Sequence, residues 1–137
     1  MQGYNCIIVA SPDKTRMLFC KRRRDPYKGL YNFVGGHIEA GESGEDAAYR
    51  ELFEETGLRC EEFFEVNRVV FEEYHQITYF FVCVVDCDKD SVRLQEGETE
   101  GYLWLSEEKF IDFIASEMID THKKSYEPYF RKMNYID

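Results

Sequence analysis

Short apolar runs, bounded by turn-forming residues, predict a series of β-strands along the chain. The run ITYFFVCVVD is rich in β-branched and aromatic residues, which favour strands. Turns are indicated between the runs, the first of them at Ser11-Pro12-Asp13. The predicted strands cover Tyr4–Ala10, Arg16–Arg22, Asn32–Val34, Glu62–Tyr74, Gln76–Asp86 and Gly101–Leu105.

Helical spacing of apolar residues predicts two helices between and after these strands. The first begins after Ser43, a good N-cap with Asp46 three residues on, and ends at Gly57, a natural C-cap. Ser106 is expected to cap the second, whose apolar stripe would pack in the core, and a short helix is expected after Lys123. Because strands and helices interleave, we predict an α/β sandwich that forms one domain over residues 1–137.

Three carboxylates share one face of the first predicted helix. Glu51, Glu54 and Glu55 fall at spacings that place them within about 100° of arc, where their charges repel one another. Glu54 and Glu55 also lie at the negative end of the helix dipole. Folding alone would not favour this cluster, whereas a bound divalent cation such as magnesium takes carboxylate oxygens as ligands.

The charge and composition limit the partners of the chain. The 137 residues carry a net charge of −10, which argues against general binding of polymeric nucleic acid or of an anionic membrane. A small anionic substrate remains compatible, because a metal ion reverses the local field. The apolar run Tyr79–Val85 is too short to span a bilayer. Nothing in the sequence indicates an oligomeric state.

The cysteines and histidines do not form a recognisable metal site. Five cysteines without a framework suggest reduced thiols and a cytoplasmic location. Cys83 and Cys87 lie four apart in a strand-like run, and no second Cys/His pair has the spacing of zinc ligands. The histidines, His37, His75 and His122, are scattered along the chain.

The segment from Gly36 to Leu58 resembles a known family signature. It matches the pattern G-x5-E-x7-R-E-U-x-E-E-x-G-U, where U is apolar, which is the Nudix box. Every fixed position is filled, by Gly36, Glu42, Arg50, Glu51, Leu52, Glu54, Glu55, Gly57 and Leu58. The chain therefore resembles a MutT-like Nudix hydrolase, with predicted strands on both sides of the box.

The resemblance implies a Nudix-type α/β/α sandwich with a mixed β-sheet, and a pyrophosphohydrolase that needs Mg²⁺, or alternatively Mn²⁺. It implies that Glu51, Glu54 and Glu55 bind the metal, together with the backbone carbonyl of Gly35. Glu54 is also expected to take part in catalysis. Arg50 is expected to orient the carboxylates by pairing with Glu54 or Glu42, and Glu42 is expected to be structural.

The general base often lies outside the box in this family, on a loop before a short strand. Here the loop EGETEGYLW offers Glu96, Glu98 and Glu100, and it precedes Trp104 as that loop often precedes a tryptophan. Of the three, Glu100 is favoured over Glu98.

The substrate implied by the resemblance is a nucleoside diphosphate linked to a further group. Lys21, Arg22, Arg23 and Arg24 form the basic run of an acidic chain, and two of them, such as Arg22 and Arg23, are expected to meet phosphates. Asn32 matches an asparagine that contacts the base in enzymes that hydrolyse oxidised purine triphosphates, and Asp120 is the nearest match to an acid that also reads the base there. An oxidised purine triphosphate such as 8-oxo-dGTP is therefore the expected substrate.

Other functions stay open on the sequence alone. The chain could hydrolyse ADP-ribose or another nucleotide derivative, or it could be a Nudix module that binds nucleotides without catalysis. A plain acidic interaction protein is a third reading, in which the acidic helix face is merely solvated. The intact set of Glu51, Glu54 and Glu55 argues against the last two, because a surface without metal has no reason to keep the repulsion.

Overall fold

The computed structural model describes residues 1–106, apart from residues 26 and 87, together with residue 109. All six predicted strands are present, with ends that differ slightly from those expected. The second predicted helix and the segment after Lys123 lie outside the described residues. In chain order the elements are β1 (Gln2–Ala10), β2 (Arg16–Arg22), β3 (Tyr31–Asn32), α1 (Gly44–Thr56), β4 (Phe64–Phe71), β5 (Gln76–Val84) and β6 (Thr99–Ser106).

The strands form one mixed sheet in the order β3-β2-β1-β5-β4, with β6 paired to β2. β1 and β5 run parallel over their whole length, from Gln2 opposite Gln76 to Ala10 opposite Val84. The other strand pairs are antiparallel, and the hairpin of β4 and β5 turns through a single 3-10 turn, Glu72–Tyr74. The predicted mixed sheet is therefore confirmed.

Apolar residues are buried on both faces of this sheet. Along β1, Ile7 and Val9 belong to the cluster that also includes Ala48 and Leu52 of α1, whereas Cys6 and Ile8 belong to a separate cluster. This split follows from the alternation of side chains along a strand. An uninterrupted apolar run such as Cys6–Ala10 is what a strand covered on both faces requires.

The first half of β1 binds a second partner on its edge, the segment that leads into α1. Ile7 and Tyr4 form isolated bridges with Val34 and His37, and the Ile7 amide donates to the Val34 carbonyl at 2.7 Å. The Asn5 amide donates to the Gly36 carbonyl at 2.8 Å. These bonds hold the glycines of the Nudix box against the middle of the sheet.

Helix α1 begins and ends where the sequence predicts. The Ser43 side chain accepts a hydrogen bond from the Asp46 amide at 3.0 Å, and Gly57 adopts the left-handed conformation with φ 71°. Ala48 and Leu52 are buried against the sheet. Tyr49 and Phe53, on the side of the helix away from the acidic face, do not join the core: they are 38% and 43% exposed.

The cysteines and the helices can also be compared with the sequence. The cysteines Cys6, Cys20, Cys60 and Cys83 are buried free thiols. Among the described residues, none of the helices has the length and apolar character needed to cross a membrane.

Candidate functional site

The three carboxylates of α1 differ in exposure and in their partners. Glu51 is buried and accepts a hydrogen bond from the Asn5 side-chain amide at 3.2 Å. Glu55 is half-buried, and its Oε2 accepts the Gly35 amide at 3.1 Å. Glu54 is exposed and pairs with Arg50 at 3.1 Å. The helix therefore presents one buried, one intermediate and one exposed carboxylate to the same side.

Two glycines make room for these groups. Gly35 has φ 148°, and a Cβ there would lie 2.0 Å from the Asn5 carbonyl oxygen, so no other residue fits without moving β1. At Gly36 a Cβ would lie 2.7 Å from Oε2 of Glu51. The pair Gly35-Gly36 thus lets backbone approach both Glu51 and Glu55.

Arg50 connects the start of the box to the helix. Its Nε and Nη2 bind the two oxygens of Glu42 at 2.8 and 2.9 Å, its Nη1 donates to Glu54, and its Nη2 also donates to the His37 carbonyl at 3.1 Å. These hydrogen bonds lower the pKa of Glu42 to about 2 and raise that of Arg50. The two pairings expected as alternatives, with Glu54 and with Glu42, are both present.

A cavity of about 340 Å³ opens beside the acidic face. Carboxylates of α1 form one wall, and basic residues of β2 contribute to another. The lining also includes the glycine pair and a segment before β6. The lining residues are Lys21, Arg22, Asn32, Gly35, Gly36, His37, Glu39, Arg50, Glu51, Glu54, Glu55, Gln95, Glu98 and Thr99.

The segment before β6 is fastened to the end of α1. The Arg93 amide donates to the Thr56 carbonyl at 2.7 Å, and the Gln95 amide donates to the Glu55 carbonyl at 3.2 Å. Glu98 lies on this segment and lines the cavity, whereas Glu100 does not line it and pairs with Lys21 at 3.7 Å. This placement favours Glu98 over Glu100 as the acid near the carboxylates, against the choice made from the sequence.

The basic run divides between the cavity and this segment. Lys21 and Arg22 both line the cavity, although they are consecutive. The pairing of β2 with β6 shifts its register beside them, where β6 has Glu100 as an extra residue. Arg23 lies outside the lining, and its amide donates to the Glu98 carbonyl at 3.1 Å. Arg24 donates from Nε to the Gly97 carbonyl at 2.7 Å. The predicted pair Arg22 and Arg23 is therefore replaced at the cavity by Lys21 and Arg22.

Two predicted substrate contacts, Asn32 and Asp120, remain to be located, and two lining residues were not predicted. Asn32, in β3, lines it and is half-buried, whereas Asp120 lies outside the described residues. Sequence reasoning missed His37, whose ring packs edge-on against Tyr4 with centroids 4.3 Å apart, and it missed Gln95. Gln95 carries no sequence signal, because its position depends on the backbone bond to Glu55.

Burial and mutual repulsion change the proton affinity of the two inner carboxylates. Burial raises the pKa of Glu51 to about 8, and the charges of Glu42 and Glu54 add to this rise while Arg50 and the Asn5 hydrogen bond oppose it. Burial, followed by the charge of Glu51, raises the pKa of Glu55 well above its usual range. Both groups are therefore poorly accommodated as anions in the absence of a cation.

We expect the metal-free protein to lose stability as pH rises from about 5 to 8. A pKa raised in the folded state contributes stability below the unfolded value of 4.5, and that stability is lost as pH rises through the folded value of about 8. The melting temperature, measured in EDTA by calorimetry, should fall by about 5 °C or more. Glu51→Gln should remove the part of this fall that Glu51 causes and leave the part that Glu55 causes, and Mg²⁺ should suppress both. A flat profile in EDTA would contradict the expectation. Glu42, with its lowered pKa, acts with the opposite sign and only below about pH 4.5.

The donor set suits a hard divalent cation. It consists of carboxylate and backbone oxygens, and a cation would relieve the repulsion that raises the pKa values of Glu51 and Glu55. As they stand, no three His, Cys, Asp or Glu side chains in the part of the chain that the structure describes converge closely enough to hold a metal ion. Glu54 is engaged by Arg50, and it is exposed enough to change rotamer when a cation binds.

Comparison with known proteins places this arrangement among related sequences and folds. The chain is 28% identical to the NAD-capped RNA hydrolase NUDT12 of Macaca fascicularis over 108 residues, 78% of this chain and 22% of that protein. It is 46% identical to the ADP-ribose pyrophosphatase of Methanocaldococcus jannaschii over 43 residues, 31% of this chain and 25% of that protein. The chain thus spans a quarter or less of the length of these relatives.

Solved structures share the fold over almost the whole chain. A MutT structure, from work on the enzymes of Aliivibrio salmonicida and Vibrio cholerae, superimposes with a TM-score of 0.72 at 23% identity, covering 96% of this chain and 94% of that one. The predicted Nudix-type α/β/α fold is therefore confirmed. The sequence profile of the NUDIX domain matches residues 1–131. The chain belongs to the NUDIX domain family.

Proposed function

We propose that the protein is a pyrophosphohydrolase, dependent on Mg²⁺ or Mn²⁺, that acts on compounds containing a nucleoside diphosphate. The observation that carries this proposal is the cavity itself, which has carboxylates of α1 and cations of β2 in its lining. A diphosphate needs both: a cation-binding face to neutralise its oxygens and basic side chains to orient it.

Glu51, Glu54, Glu55 and the Gly35 carbonyl would hold the metal. When bound, such an ion neutralises phosphate oxygens and makes nearby water more acidic. Arg50 donates to Glu54 one turn along the same helix, and its two-oxygen bond to Glu42 fixes the guanidinium in one plane. The role of Glu42 is therefore to hold Arg50 in place.

Glu98 is proposed as the general base that takes the proton from the attacking water. It lines the same cavity as the three carboxylates, and backbone bonds anchor its segment to α1. A carboxylate on an anchored segment satisfies the first requirement of a base, which is fixed geometry near the water. Glu100 has its own partner in Lys21.

Lys21 and Arg22 are proposed to contact the phosphates. Arg23 and Arg24 instead support the segment that carries Glu98, through the bonds from the Arg23 amide and the Arg24 side chain. Since the whole chain has a net charge of −10, cations in the cavity lining are the groups that can attract an anionic substrate.

An oxidised purine triphosphate is the proposed substrate, with nucleoside monophosphate and pyrophosphate as products. Asn32 supports this choice, because it lines the cavity beside the proposed phosphate-binding residues and its amide can bond to a purine edge. Asp120 stays a proposed second contact to the base. The buried free thiols fit the proposed cytoplasmic location.

Asn32→Ala should narrow the preference for the purine over a pyrimidine triphosphate by about five-fold or more. A lost hydrogen bond to the base is worth about 1 kcal/mol, and a pyrimidine triphosphate would not make the same bond. The measurement is kcat/KM for oxidised dGTP and for a pyrimidine triphosphate in both proteins. Equal losses on the two substrates would show that Asn32 only supports the end of β3.

A second candidate activity is hydrolysis of a nucleotide derivative that contains a diphosphate bridge, such as ADP-ribose or an NAD-linked compound. The names of the relatives, an ADP-ribose pyrophosphatase and an NAD-capped RNA hydrolase, favour it. A capped RNA would bring a polymer to the cavity, which the acidic net charge disfavours without excluding contact at the cap alone.

The decisive experiment is a substrate panel assayed with and without Mg²⁺. It contains the common nucleoside triphosphates, oxidised dGTP, ADP-ribose, NAD and NAD-capped RNA. Fastest turnover of oxidised dGTP supports the proposal in full. Faster turnover of ADP-ribose or NAD would change the proposed substrate and retain the proposed pyrophosphohydrolase reaction. Absence of Mg²⁺-dependent turnover on every compound would favour a binding module instead.

A further inference from the structure

Asn5 is a polar residue in the apolar interior. It lies in the middle of β1, directly before the buried run Cys6–Ala10, and is only 4% exposed. An asparagine at such a depth costs stability unless its amide is fully hydrogen-bonded. Its bonds therefore indicate what it contributes.

The orientation of the Asn5 side chain is determined by its partners. Nδ2 donates to the Gly44 carbonyl at 2.9 Å and to Oε1 of Glu51 at 3.2 Å. Both partners accept hydrogen bonds, so the amide turned the other way would place Oδ1 against two oxygens. The amide group thus links the start of α1 to a carboxylate about two turns further along the helix.

The other half of the same side chain is unsatisfied. Oδ1 of Asn5 is buried and has no hydrogen-bond partner within the described ranges. The fold therefore carries the cost of an unpaired carbonyl at this position. An apolar side chain of similar volume would avoid that cost, so the benefit of asparagine lies in the two bonds that Nδ2 makes.

Two groups lie beside the Glu51 carboxylate: the Asn5 side chain, and Gly36, which is itself bonded to the backbone of Asn5. Oε1 of Glu51 accepts the Asn5 bond, and its Oε2 lies 2.7 Å from the position that a Cβ on Gly36 would occupy. The backbone N–H of Asn5 in turn donates to the Gly36 carbonyl. One residue of β1 therefore sets the distance between the glycine loop and the buried carboxylate.

We propose that Asn5 is a positioning residue that holds the Glu51 carboxylate in the orientation in which it binds the divalent cation. The inference rests on the proposed function, since it takes Glu51 as a metal ligand. Asn5 binds Oε1 and leaves Oε2 beside Gly36, and both Glu51 and Gly36 line the cavity. Residues that orient metal ligands in this way typically affect metal affinity about 10-fold or more.

The test is the affinity for Mn²⁺, measured by electron paramagnetic resonance without substrate. Asn5→Leu keeps the number and branching of the side-chain heavy atoms and removes the donor. Its Kd for Mn²⁺ should rise about 10-fold or more, and its lost turnover should recover as Mg²⁺ is raised. Thr78→Val is the matched control, because Thr78 is a buried polar residue on the neighbouring β5 that bonds Gln76; its Kd should stay unchanged.

A double variant separates positioning from general support of the fold. In a Glu51→Gln background, Asn5→Leu should leave the already weakened Mn²⁺ affinity unchanged, whereas a structural role would weaken it further. If Asn5→Leu does not fold, Asn5→Ala replaces it, with the same expected loss of affinity. Wild-type Mn²⁺ affinity in a folded Asn5 variant overturns the inference. Absence of Mn²⁺ binding by the unaltered protein overturns the proposed function and this inference with it.

Discussion

Glu55→Gln is expected to lower Mg²⁺-dependent turnover by about 100-fold or more and to leave the fold intact. A metal that neutralises phosphate oxygens contributes several kcal/mol to catalysis, and about 3 kcal/mol corresponds to that factor. The glutamine oxygen can still accept the Gly35 amide bond that Glu55 now accepts. The loss should therefore come from the missing charge and not from a rearranged loop.

The same substitution should slightly stabilise the metal-free protein. Removing one of the three repelling carboxylates of α1 is worth a gain of about 0.5 kcal/mol, visible as an equal or higher melting temperature in EDTA. Glu45→Gln is the matched control, since it removes an exposed carboxylate from the first turn of the same helix. It should keep full turnover. A Glu55→Gln protein that also kept full turnover would exclude the metal-binding assignment.

Glu98→Gln is expected to lower kcat by about 100-fold or more, since removing a general base typically costs at least that factor. Glu100→Gln, two residues away, should change kcat by less than about threefold, because Glu100 pairs with Lys21 at a partly exposed position. Both variants keep their melting temperatures if these roles are right. The comparison needs only steady-state kinetics at saturating Mg²⁺ on the best substrate of the panel.

A larger loss of kcat in Glu100→Gln than in Glu98→Gln would identify Glu100, the residue favoured from the sequence, as the general base. Similar small losses of kcat in both variants would indicate that one of the carboxylates of α1 is the general base. Either result would leave the metal-binding proposal standing, because that proposal depends on Glu51 and Glu55.

Local patterns were enough to predict the strands, the caps of α1 and the acidic face. Ser43 and Gly57 act through bonds to residues a few positions away, so their roles can be read from spacing. The Nudix box adds Arg50 and Glu42, whose bond spans eight residues. In each case the partners lie within one segment of the chain.

The rest of the site depends on contacts between distant segments. Glu98 and Glu100 look equivalent in the sequence. The structure distinguishes them, because Glu98 lines the cavity on a segment that Arg93 and Gln95 bond to α1, whereas Glu100 does not line it. Lys21 and Arg22 both line the cavity although they are consecutive, which simple alternation along a strand does not predict. Asn5 gave no signal, because its partner Glu51 is 46 residues away.

Backbone bonds join the segment before β6 to the end of α1, so this part of the site is held separately from the edge of the sheet that carries Asn32. The proposed reacting groups, Glu51, Glu55 and Glu98, belong to parts of the chain joined to one another by backbone bonds. Asn32 belongs instead to a two-residue strand at the edge of the sheet. Mutations at that edge could change which molecule is selected while the chemistry stays intact, so new substrate ranges could evolve, or be engineered, by altering β3 alone.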